Sequence, residues 1–298
     1  MTAELVWLDG QLVPADAARF GLLTHSLHYG TAVFDGGRHY RLADGGVGVF
    51  RLRDHVRRFL ASAASLWMSL PYTAEQLHAA TLAVVRASGR GDGYVRQLAF
   101  YGDARIGLGA RNPVHVAVLA WEPAGSPGAL TKIRIASLGH GAGWIPTAKH
   151  AGHYGRAFLA LREAEASGHD DALFLGDDGT VVEATGANLF IVRDGRLVTP
   201  PDHEPLLPGI TRASVLALAA DLGIPTLEAP IPRHHLFSAD EVFLANSAAE
   251  LRPVALVEGR RLAAPGPVTA RLVARYRAVA RGEAPDHHDW IDRVEDPQ

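Results

Sequence analysis

The stretch 146–190, around which the fold is organised, reads PTAKHAGHYGRAFLALREAEASGHDDALFLGDDGTVVEATGANLF. Lys149 stands near its start, and Tyr154 follows five positions later. An alanine-rich run over 158–166 predicts a helix that ends at Gly168, because glycine commonly stops helices. Short apolar segments on either side of an Asp-Gly turn then predict strands. The stretch therefore predicts a helix and strands that follow a single lysine.

Lysine is scarce in this chain, and one of its two lysines lies in that stretch. Of the 29 lysine and arginine residues, only Lys132 and Lys149 are lysines. A desolvated lysine can lose its proton and form a Schiff base, whereas arginine cannot. Lys132 alternates with isoleucines over 131–135, which is typical of a half-buried strand with the lysine facing solvent. For Lys149 the residues alone leave two interpretations open, a surface lysine and a reactive amine.

Length and composition indicate a globular protein of the cytoplasm. A chain of 298 residues predicts roughly two domains. Its 48% hydrophobic and 20% charged residues are typical of globular proteins, and a net charge of −3 predicts no nucleic-acid partner and no anionic membrane. The absence of cysteine excludes disulfides, a thiolate nucleophile and cysteine-bound metal. Without a signal-like N-terminus or an apolar run of about 18 residues, we expect a cytoplasmic protein without a membrane segment.

The predicted elements divide the chain into two domains of the α+β class. Residues 1–122 combine strands with two helices, one with Asp54 as its N-cap and one capped by Thr73. The segment 123–130, rich in proline and glycine, is the best candidate for an interdomain linker. Residues 131–298 form the larger second domain.

Residue spacing favours a phosphate site over other common kinds of site. The segment Gly209-Ile210-Thr211 opens a predicted helix, whose first backbone N–H groups and adjacent hydroxyl would bind an anion. The pairs His25/His28 and His150/His153 have no carboxylate at zinc-like spacing, so we expect no metal site. The chain also lacks the Gly-x-Ser-x-Gly motif of hydrolases and the GxGxxG unit of dinucleotide-binding folds. A phosphate-bearing cofactor is therefore the ligand that the spacing favours.

Eight short motifs follow one another along the chain. They are His28-Tyr29-Gly30 with Phe34-Asp35-Gly36; Phe50-Arg51 through His55 to Arg58; Tyr94-Val95-Arg96; Lys149 with Gly152 and Tyr154; Glu183 through Gly186 to Asn188-Leu189-Phe190; Thr199-Pro200-Pro201; Leu207-Pro208-Gly209-Ile210-Thr211-Arg212; and Asp240-Glu241-Val242-Phe243 to Ala248-Ala249-Glu250. In this order, and over essentially the whole chain, they resemble the class IV (fold type IV) pyridoxal-phosphate aminotransferases. Within that family the resemblance is greatest to the branched-chain amino acid aminotransferases.

The resemblance implies a two-domain fold like that of D-amino acid aminotransferase, with a small α/β domain and a larger pseudo-barrel domain. It implies pyridoxal 5′-phosphate as cofactor, bound to Lys149 as a Schiff base, with Lys149 then acting as general acid and base. It places Glu183 at the pyridine nitrogen, where a carboxylate keeps the ring protonated and electron-withdrawing. The other cofactor-binding residues that it implies are Arg58, Tyr154, Asn188, Ile210, Thr211 and Ser247. Tyr154 would donate to the phenolic oxygen, and most of the others would bind the phosphate.

The same resemblance implies a pocket for an L-amino acid. Its substrate-binding residues would be Tyr29, Phe34, Arg38, Tyr94, Arg96, Ser247 and Ala248, with Ile106 and Leu108 as further apolar walls. Tyr94, Arg96 and the Ser247–Ala248 backbone would bind the α-carboxylate. Apolar walls favour aliphatic side chains, so we expect L-leucine, L-isoleucine or L-valine as donor and 2-oxoglutarate as acceptor, as in branched-chain amino acid biosynthesis.

Several positions depart from the usual pattern of the family, mostly around the substrate. Asp35 stands where glutamate is usual, Gly37 where an apolar residue is common, and Gln97 where proline is usual. Ala187 replaces the second glutamate of its motif, and the segment 137–143 lacks the usual Ser-Ser-Trp-x-Arg. The reaction type is therefore predicted more firmly than the substrate.

Other functions on the same scaffold remain open. They are a D-amino acid transaminase, an (R)-amine transaminase, a lyase similar to aminodeoxychorismate lyase, and a binding protein without turnover. The sequence Tyr94-Val95-Arg96 resembles the L-amino acid enzymes, and the presence of Lys149, Glu183 and Tyr154 disfavours a protein without turnover. Family members complete their active sites with a loop from the partner subunit, so we expect a homodimer or a higher homo-oligomer.

Overall fold

The computed structural model describes residues 4–122, 129–140 and 148–295. Contacts divide the chain into two compact units: unit 1 is Met1–Ala124, Ala148–His153 and Ala278–Gln298, and unit 2 is Gly125–Thr147 and Tyr154–Arg277. Two segments of the predicted second domain, 148–153 and 278–298, therefore group with unit 1, and Lys149 lies in the first of them. Most of the predicted linker (123–128) lies outside the described residues. So do positions 141–143 of the segment 137–143, which differs from the usual family pattern.

The described residues form both strands and α-helices along the chain. The strands are β1 Leu5–Leu8, β2 Gln11–Pro14, β3 Ala32–Arg41, β4 Val47–Phe50, β5 Gly93–Tyr101, β6 Val114–Trp121, β7 Thr131–Ile135, β8 Asp171–Leu175, β9 Thr180–Ala184, β10 Asn188–Arg193, β11 Arg196–Thr199, β12 Thr226–Glu228, β13 Ile231–Pro232, β14 Glu241–Asn246, β15 Glu250–Val257, β16 Arg260–Arg261 and β17 Ile291–Val294. The helices are α1 His25–Tyr29, α2 Leu52–Ser65, α3 Ala74–Ala87, α4 Tyr154–Ala166, α5 Ile210–Asp221, α6 Arg233–Ser238 and α7 Pro267–Ala280.

Unit 1 is built on one seven-stranded sheet in the order β17-β4-β3-β5-β6-β1-β2. Strands β1 and β2 form an antiparallel hairpin, from Leu5↔Pro14 to Leu8↔Gln11. Apolar side chains of α2 and α3, including Phe59 and Leu77, form one core with strand residues such as Val95 and Val118. The central strands β3 and β5 pair over eight residues, from Ala32↔Phe100 to His39↔Gly93. This sheet therefore gives unit 1 a rigid face on which functional side chains can be placed.

The two predicted helix caps of unit 1 have different outcomes. Thr73 caps α3 in a reciprocal capping box with Gln76, as predicted. The prediction for α2 is wrong, because that helix begins at Leu52 with Arg51 as its N-cap, in the left-handed region at a φ of 55°. Asp54 lies instead in the first turn, where it pairs with the Arg51 side chain. An aspartate is favourable at either place, since both satisfy the positive end of the helix dipole.

Unit 2 contains a closed ring of six strands, β10-β14-β15-β7-β8-β9, with β9 pairing back to β10. The closing pair is Glu183 opposite Asn188. Residues such as Ile133 and Leu189 point into the core of the ring, whereas Lys132 on β7 faces solvent as its alternation predicts. The predicted pseudo-barrel and the α+β class are both confirmed. In the ranges 4–122, 129–140 and 148–295, none of the helices has the length and apolar character needed to span a bilayer.

Candidate active site

Lys149 lies in the short segment 148–153 of unit 1, and its backbone is bonded on both sides. Its N–H donates to the Ser62 hydroxyl at 3.0 Å, and its carbonyl accepts from the Phe34 N–H at 3.1 Å. The next residue, His150, forms a bridge with Val33 of β3. The half-buried side chain places its amine, Nζ, 4.9 Å from the centroid of the Phe34 ring. The backbone contacts therefore fix the lysine while its amine reaches the aromatic face of β3.

Arg96 of β5 lies on the same ring, and aromatic side chains enclose its guanidinium. Its Cζ is 4.6 Å from the ring centroid of Phe34, 5.1 Å from that of Trp121 and 5.7 Å from that of Tyr94. Its Nε is buried and has no hydrogen-bond partner in the described part of the chain. The buried Tyr94 hydroxyl donates to the Gly36 carbonyl, and burial raises the pKa of Tyr94. A buried guanidinium N–H without a partner marks a position suited to a carboxylate ligand.

Arg58 of α2 is paired with a buried carboxylate, that of Asp35 on β3. Its Nε and Nη2 donate to the two oxygens of Asp35 at 2.7 and 2.8 Å. His55, one turn earlier on α2, donates from Nδ1 to the same carboxylate at 2.7 Å. Burial raises the pKa of Asp35, but the charge of Arg58 and the hydrogen bonds of Arg58 and His55 outweigh it, so this pKa lies well below its usual range. The arginine predicted to bind phosphate is therefore held in one orientation.

The other predicted substrate residues of unit 1 occupy more varied positions. Arg38 is buried on β3, and Tyr29 is the last residue of α1, where its ring packs on His25 and is 37% exposed. Ile106 and Leu108 lie on the loop after β5 and are 46% and 83% exposed. Within unit 1, therefore, these last two side chains do not line a buried pocket.

In unit 2, Glu183 lies at the closing pair of the ring, and three neighbours orient its carboxylate. Its Oε2 accepts from the Asn188 side chain at 3.3 Å and from the Leu207 backbone N–H at 3.2 Å. Its Oε1 lies 3.2 Å from Nε2 of His140, a buried imidazole that packs edge-on against Phe174. The carboxylate predicted to face the pyridine nitrogen is therefore fixed by contacts from β10, from the segment before α5 and from the segment after β7.

The N-terminus of α5 lies next to that carboxylate, because Asn188 contacts both. A Cβ at position 209 would lie 1.9 Å from Oδ1 of Asn188, so any larger residue there would displace the Asn188 amide. Ile210 and Thr211 begin the helix, and the N–H groups of a first turn have no partners within their own helix. Oγ1 of Thr211 is 3.3 Å from Oγ of Ser247. N–H groups and two hydroxyls together form the kind of cradle that binds phosphate.

Ser247 and Ala248 lie in the turn after β14, which Asn246 holds in place. Its side-chain Nδ2 donates to the Gly186 carbonyl at 3.0 Å, and its side-chain Oδ1 accepts from the Ala249 N–H at 2.7 Å. Tyr154, the remaining predicted cofactor residue, is half-buried at the first position of α4.

Four residues that support this site received no role from the sequence. His55 stands three positions before Arg58 on α2, a spacing that places both on one helix face and could have indicated a common partner. Asp35 directly follows Phe34, but nothing local shows that its carboxylate turns toward α2. His140 and Asn246 act on partners 43 and 60 positions away, Glu183 and Gly186, and no local pattern signals such contacts.

The family of this chain is shown by comparison with known proteins. Residues 32–257 match the family described as amino-transferase class IV. The chain belongs to this family, whose members use pyridoxal 5′-phosphate, and it is an aminotransferase. The described residues fit that cofactor: a lysine with a fixed backbone, an oriented carboxylate and a helix N-terminus with two hydroxyls beside it are all present.

Relatives match over nearly the whole chain. A branched-chain-amino-acid aminotransferase of Pseudomonas aeruginosa (strain PAO1) is 37% identical over 296 residues, 96% of each chain. The structure of a branched-chain aminotransferase from Thermoproteus uzoniensis with norvaline has a TM-score of 0.94 at 38% identity and covers 99% of this chain and 100% of its own. The structure of a branched-chain amino acid aminotransferase from Thermobaculum terrenum, in its PLP form (holo-form), has a TM-score of 0.93 at 31% identity and covers 98% of this chain and 99% of its own.

Proposed function

We propose that this aminotransferase moves the amino group of a branched-chain L-amino acid to 2-oxoglutarate. The observation that carries the proposal is the pair of side chains on the Phe34 ring, with the Lys149 amine at 4.9 Å and the Arg96 guanidinium at 4.6 Å from its centroid. A carboxylate bound by Arg96 would bring a neighbouring substrate carbon toward the amine. A dicarboxylic acceptor suits a site with a buried guanidinium N–H. The relatives named for branched-chain amino acids support the donor class.

Lys149 is the residue to which we assign covalent attachment and proton transfer. Pyridoxal 5′-phosphate, when bound, supplies an electron-withdrawing ring that stabilises negative charge on the substrate carbon. The Lys149 amine would bond the cofactor and then carry a proton to and from that carbon. Its bonds to Ser62 and Phe34 keep the backbone in place during this transfer. Arginine at this position would keep its proton and could do neither.

Glu183 and Tyr154 are assigned to the cofactor ring. The Glu183 carboxylate, oriented by Asn188 and the Leu207 N–H, would hold a proton at the pyridine nitrogen. The Tyr154 hydroxyl would donate to the phenolic oxygen. Asn188 acts on the carboxylate and, through its contact with Gly209, on the start of α5 as well.

The phosphate is assigned to the cradle at α5 and to one arginine. The N–H groups of Ile210 and Thr211 and the hydroxyls of Thr211 and Ser247 supply donors without net charge. Arg58 supplies the positive charge. An arginine matches phosphate geometry better than lysine does, because its donors are arranged in a planar fork.

The substrate is assigned to residues with two kinds of surface. Arg96, with Arg38, Tyr94 and the Ser247–Ala248 backbone, would bind carboxylates. The Phe34 and Tyr29 rings would contact the side chain. Burying a methylene group contributes about 0.8 kcal/mol, so a four-carbon aliphatic side chain gains a few kcal/mol from such walls.

We also propose a homodimer in the cytoplasm. Large apolar side chains are exposed on α1 and its neighbouring loops in unit 1: Leu22 is 85%, Leu27 70% and Leu108 83% exposed. The His25 ring lies 3.0 Å from the Gly107 carbonyl, which brings α1 and the loop of Leu108 together. Exposed apolar side chains in one region commonly mark a protein interface, and a second copy of this chain is the partner that the family favours.

A half-reaction panel tests the proposed substrate. The cofactor-loaded protein is mixed separately with L-leucine, L-phenylalanine, D-alanine and (R)-1-phenylethylamine, and conversion to pyridoxamine phosphate is followed by absorbance. We expect L-leucine to react fastest. Conversion by D-alanine or the amine, with none by L-leucine, would replace this proposal with one of its alternatives. Failure of all four compounds to form pyridoxamine phosphate would leave the lyase or the protein without turnover.

A matched pair of variants tests the role of Arg96. Arg96→Met removes the guanidinium, and Arg86→Met removes an exposed one from α3. We expect Arg96→Met to lower kcat/KM for L-leucine at least about tenfold, the size of one charge-assisted hydrogen bond, and Arg86→Met to leave it unchanged. Equal effects of the two variants would show that Arg96 has no special role.

A further inference from the structure

Asp35 is a fully buried carboxylate to which the proposed reaction gives no direct role. Its Oδ2 accepts from Arg58 Nε at 2.7 Å. Its Oδ1 accepts from Arg58 Nη2 at 2.8 Å and from His55 Nδ1 and the Gly36 N–H, both at 2.7 Å. Burying a charge is costly unless the charge is paired and hydrogen-bonded, and Asp35 meets both conditions. The position is therefore built to hold these donors.

Two residues after Asp35, on the same strand β3, a glycine leaves room for the histidine of this cluster. A Cβ at Gly37 would lie 3.0 Å from the His55 ring and 3.3 Å from the Phe50 carbonyl oxygen, so a side chain there would press on the imidazole. Burial lowers the pKa of His55, and the imidazole therefore donates its N–H to Asp35 in the neutral state. Asp35 and Arg58 then form a balanced pair, one negative charge against one positive.

We propose that Asp35 is a positioning residue for the cofactor phosphate: it fixes the guanidinium of Arg58, and His55 fixes Asp35. This inference rests on the proposed contact between Arg58 and the phosphate. The nitrogens that Asp35 engages, Nε and Nη2, form one edge of the guanidinium, so Nη1 lies on the opposite edge. An arginine that is already ordered loses less side-chain entropy when it binds an anion.

Two opposing effects decide what the loss of Asp35 would do. The Asp35 charge offsets part of the positive charge of Arg58, so removing it would strengthen the attraction of a phosphate. Removing it would also release the guanidinium of Arg58. An asparagine amide would point its own N–H groups at the donors from which Asp35 now accepts. If positioning dominates, phosphate binding weakens; if charge compensation dominates, it strengthens. The direction of the change therefore separates the two roles.

The experiment compares the cofactor with its phosphate-free counterpart. Dissociation constants of pyridoxal 5′-phosphate and of pyridoxal are measured by absorbance titration on the same preparation of each variant. We expect Asp35→Asn to weaken the binding of pyridoxal 5′-phosphate about tenfold, the size of a charge-assisted hydrogen bond, and that of pyridoxal by less than about twofold. Asp35→Glu keeps a carboxylate, so we expect this variant to retain most of the parent's preference for pyridoxal 5′-phosphate over pyridoxal.

The matched control is Asp292→Asn in the same unit. Asp292 of β17 also accepts from a histidine, His78 at 2.7 Å, and forms an ion pair with an arginine, Arg53 at 3.2 Å. We define the ratio as the dissociation constant of pyridoxal divided by that of pyridoxal 5′-phosphate, so a fall in the ratio means a weaker preference for the phosphate. The Asp292→Asn variant should be less stable than the parent but have the same ratio. A ratio that falls equally in both variants, or that stays constant or rises in Asp35→Asn, would overturn the inference.

Arg58→Ala separates failure of this inference from failure of the proposed function. If Arg58→Ala leaves the ratio unchanged, the proposed phosphate contact is wrong. If it lowers the ratio and Asp35→Asn does not, only the positioning role is wrong. In the Arg58→Ala background, we expect Asp35→Asn to have no further effect on the ratio.

A second variant covers the case in which Asp35→Asn does not fold. His55→Ala removes the other hold on the carboxylate but keeps the pair of Asp35 and Arg58. It is expected to weaken the binding of pyridoxal 5′-phosphate about threefold, less than a full charge-assisted hydrogen bond, and to leave pyridoxal unaffected. Equal changes for both ligands would contradict the role of this cluster.

Discussion

Glu183 is oriented by Asn188, the Leu207 N–H and His140, and its charge is what the proposed chemistry requires. Glu183→Gln keeps the shape of the side chain but removes the charge that would hold a proton at the pyridine nitrogen. We expect this variant to retain pyridoxal 5′-phosphate and to slow the L-leucine half-reaction at least about 100-fold, the typical effect of removing one stabilising group. Stopped-flow absorbance measures the rate.

The control for that prediction is Glu165→Gln, at an exposed carboxylate of α4. It should react at the rate of the parent protein. A Glu183→Gln variant that also reacts at the parent rate would remove the carboxylate from the mechanism.

His39 links stability to pH, because its ring is buried on β3. Burial lowers the pKa of His39 to about 4, and Nδ1 lies 3.3 Å from the Gly91 carbonyl, which suits a neutral ring with its proton there. Nε2 has no hydrogen-bond partner among the described residues, so a proton added to it would be buried and unsatisfied. The unfolded chain therefore binds a proton near pH 6.5 that the folded chain takes up only near pH 4. Stability contributed by neutral His39 is complete above pH 6.5 and falls as the pH drops toward 4.

The measurement is the free energy of unfolding of the parent and of His39→Gln across this range. We expect the variant to have the shallower pH dependence, by up to about 1.4 kcal/mol per pH unit, which corresponds to one proton. Identical slopes for the two proteins would show that His39 does not titrate as proposed.

At the scale of elements, the start of α5 depends on one contact between a glycine and a side chain. In Gly209→Ala the new methyl group would meet Oδ1 of Asn188 at 1.9 Å, so the amide must move and release both Glu183 and the Leu207 carbonyl. We expect lower thermal stability and at least about tenfold weaker binding of pyridoxal 5′-phosphate, since more than one hydrogen bond changes.

Gly155→Ala is the matched control, since it lies in α4 with nothing within 4 Å of the added Cβ. Alanine there should leave cofactor affinity unchanged and raise stability slightly, because glycine is unfavourable within a helix. If Gly209→Ala bound the cofactor as tightly as this control, the cradle at α5 would not be the phosphate site.

Elements with local signals could be predicted from the sequence, and elements set by distant contacts could not. Thr73 was predicted as the N-cap of α3 from its residue type and position, and the structure adds Gln76 as its partner in a capping box. Asp54 is also a residue type that favours the N-cap position. The helix nevertheless begins earlier, at Leu52, because Arg51 is its N-cap in a left-handed conformation that its residue type does not predict. The closure of the ring depends on one pair, Glu183 and Asn188, and followed from the family resemblance rather than from the strands themselves.

The residues of the candidate site also fall into two groups, those that the sequence predicts and those that only the folded chain shows. Lys149 was predicted from its scarcity and its motif. The side chains that orient the site, Asp35 and His140, act through partners far along the chain: Arg58 lies 23 positions from Asp35, and Glu183 lies 43 from His140. Side-chain contacts at such separations depend on the folded backbone, and a single sequence does not encode them as a pattern.

For the whole molecule, we expect a dimer in solution. Light scattering should give about twice the 31.8 kDa of one chain. Leu108→Glu places a charge at a side chain that is 83% exposed in one chain, and should shift the protein toward the monomer and lower its activity. Leu227→Glu, the same change at an exposed leucine of unit 2, serves as the control. A fully active monomer of the parent protein would contradict the proposed assembly.

Lys149 is the residue proposed to carry the cofactor, and the two lysines of the chain allow a direct test. The cofactor-loaded protein is reduced with borohydride, digested and mapped by mass spectrometry. Lys132, exposed on β7, is the internal control. We predict that the reduced pyridoxyl group is found on the peptide that contains Lys149, and that Lys149→Ala gives no lysine adduct and no turnover. Labelling of Lys132 with Lys149 unmodified, or turnover in Lys149→Ala, would contradict the account.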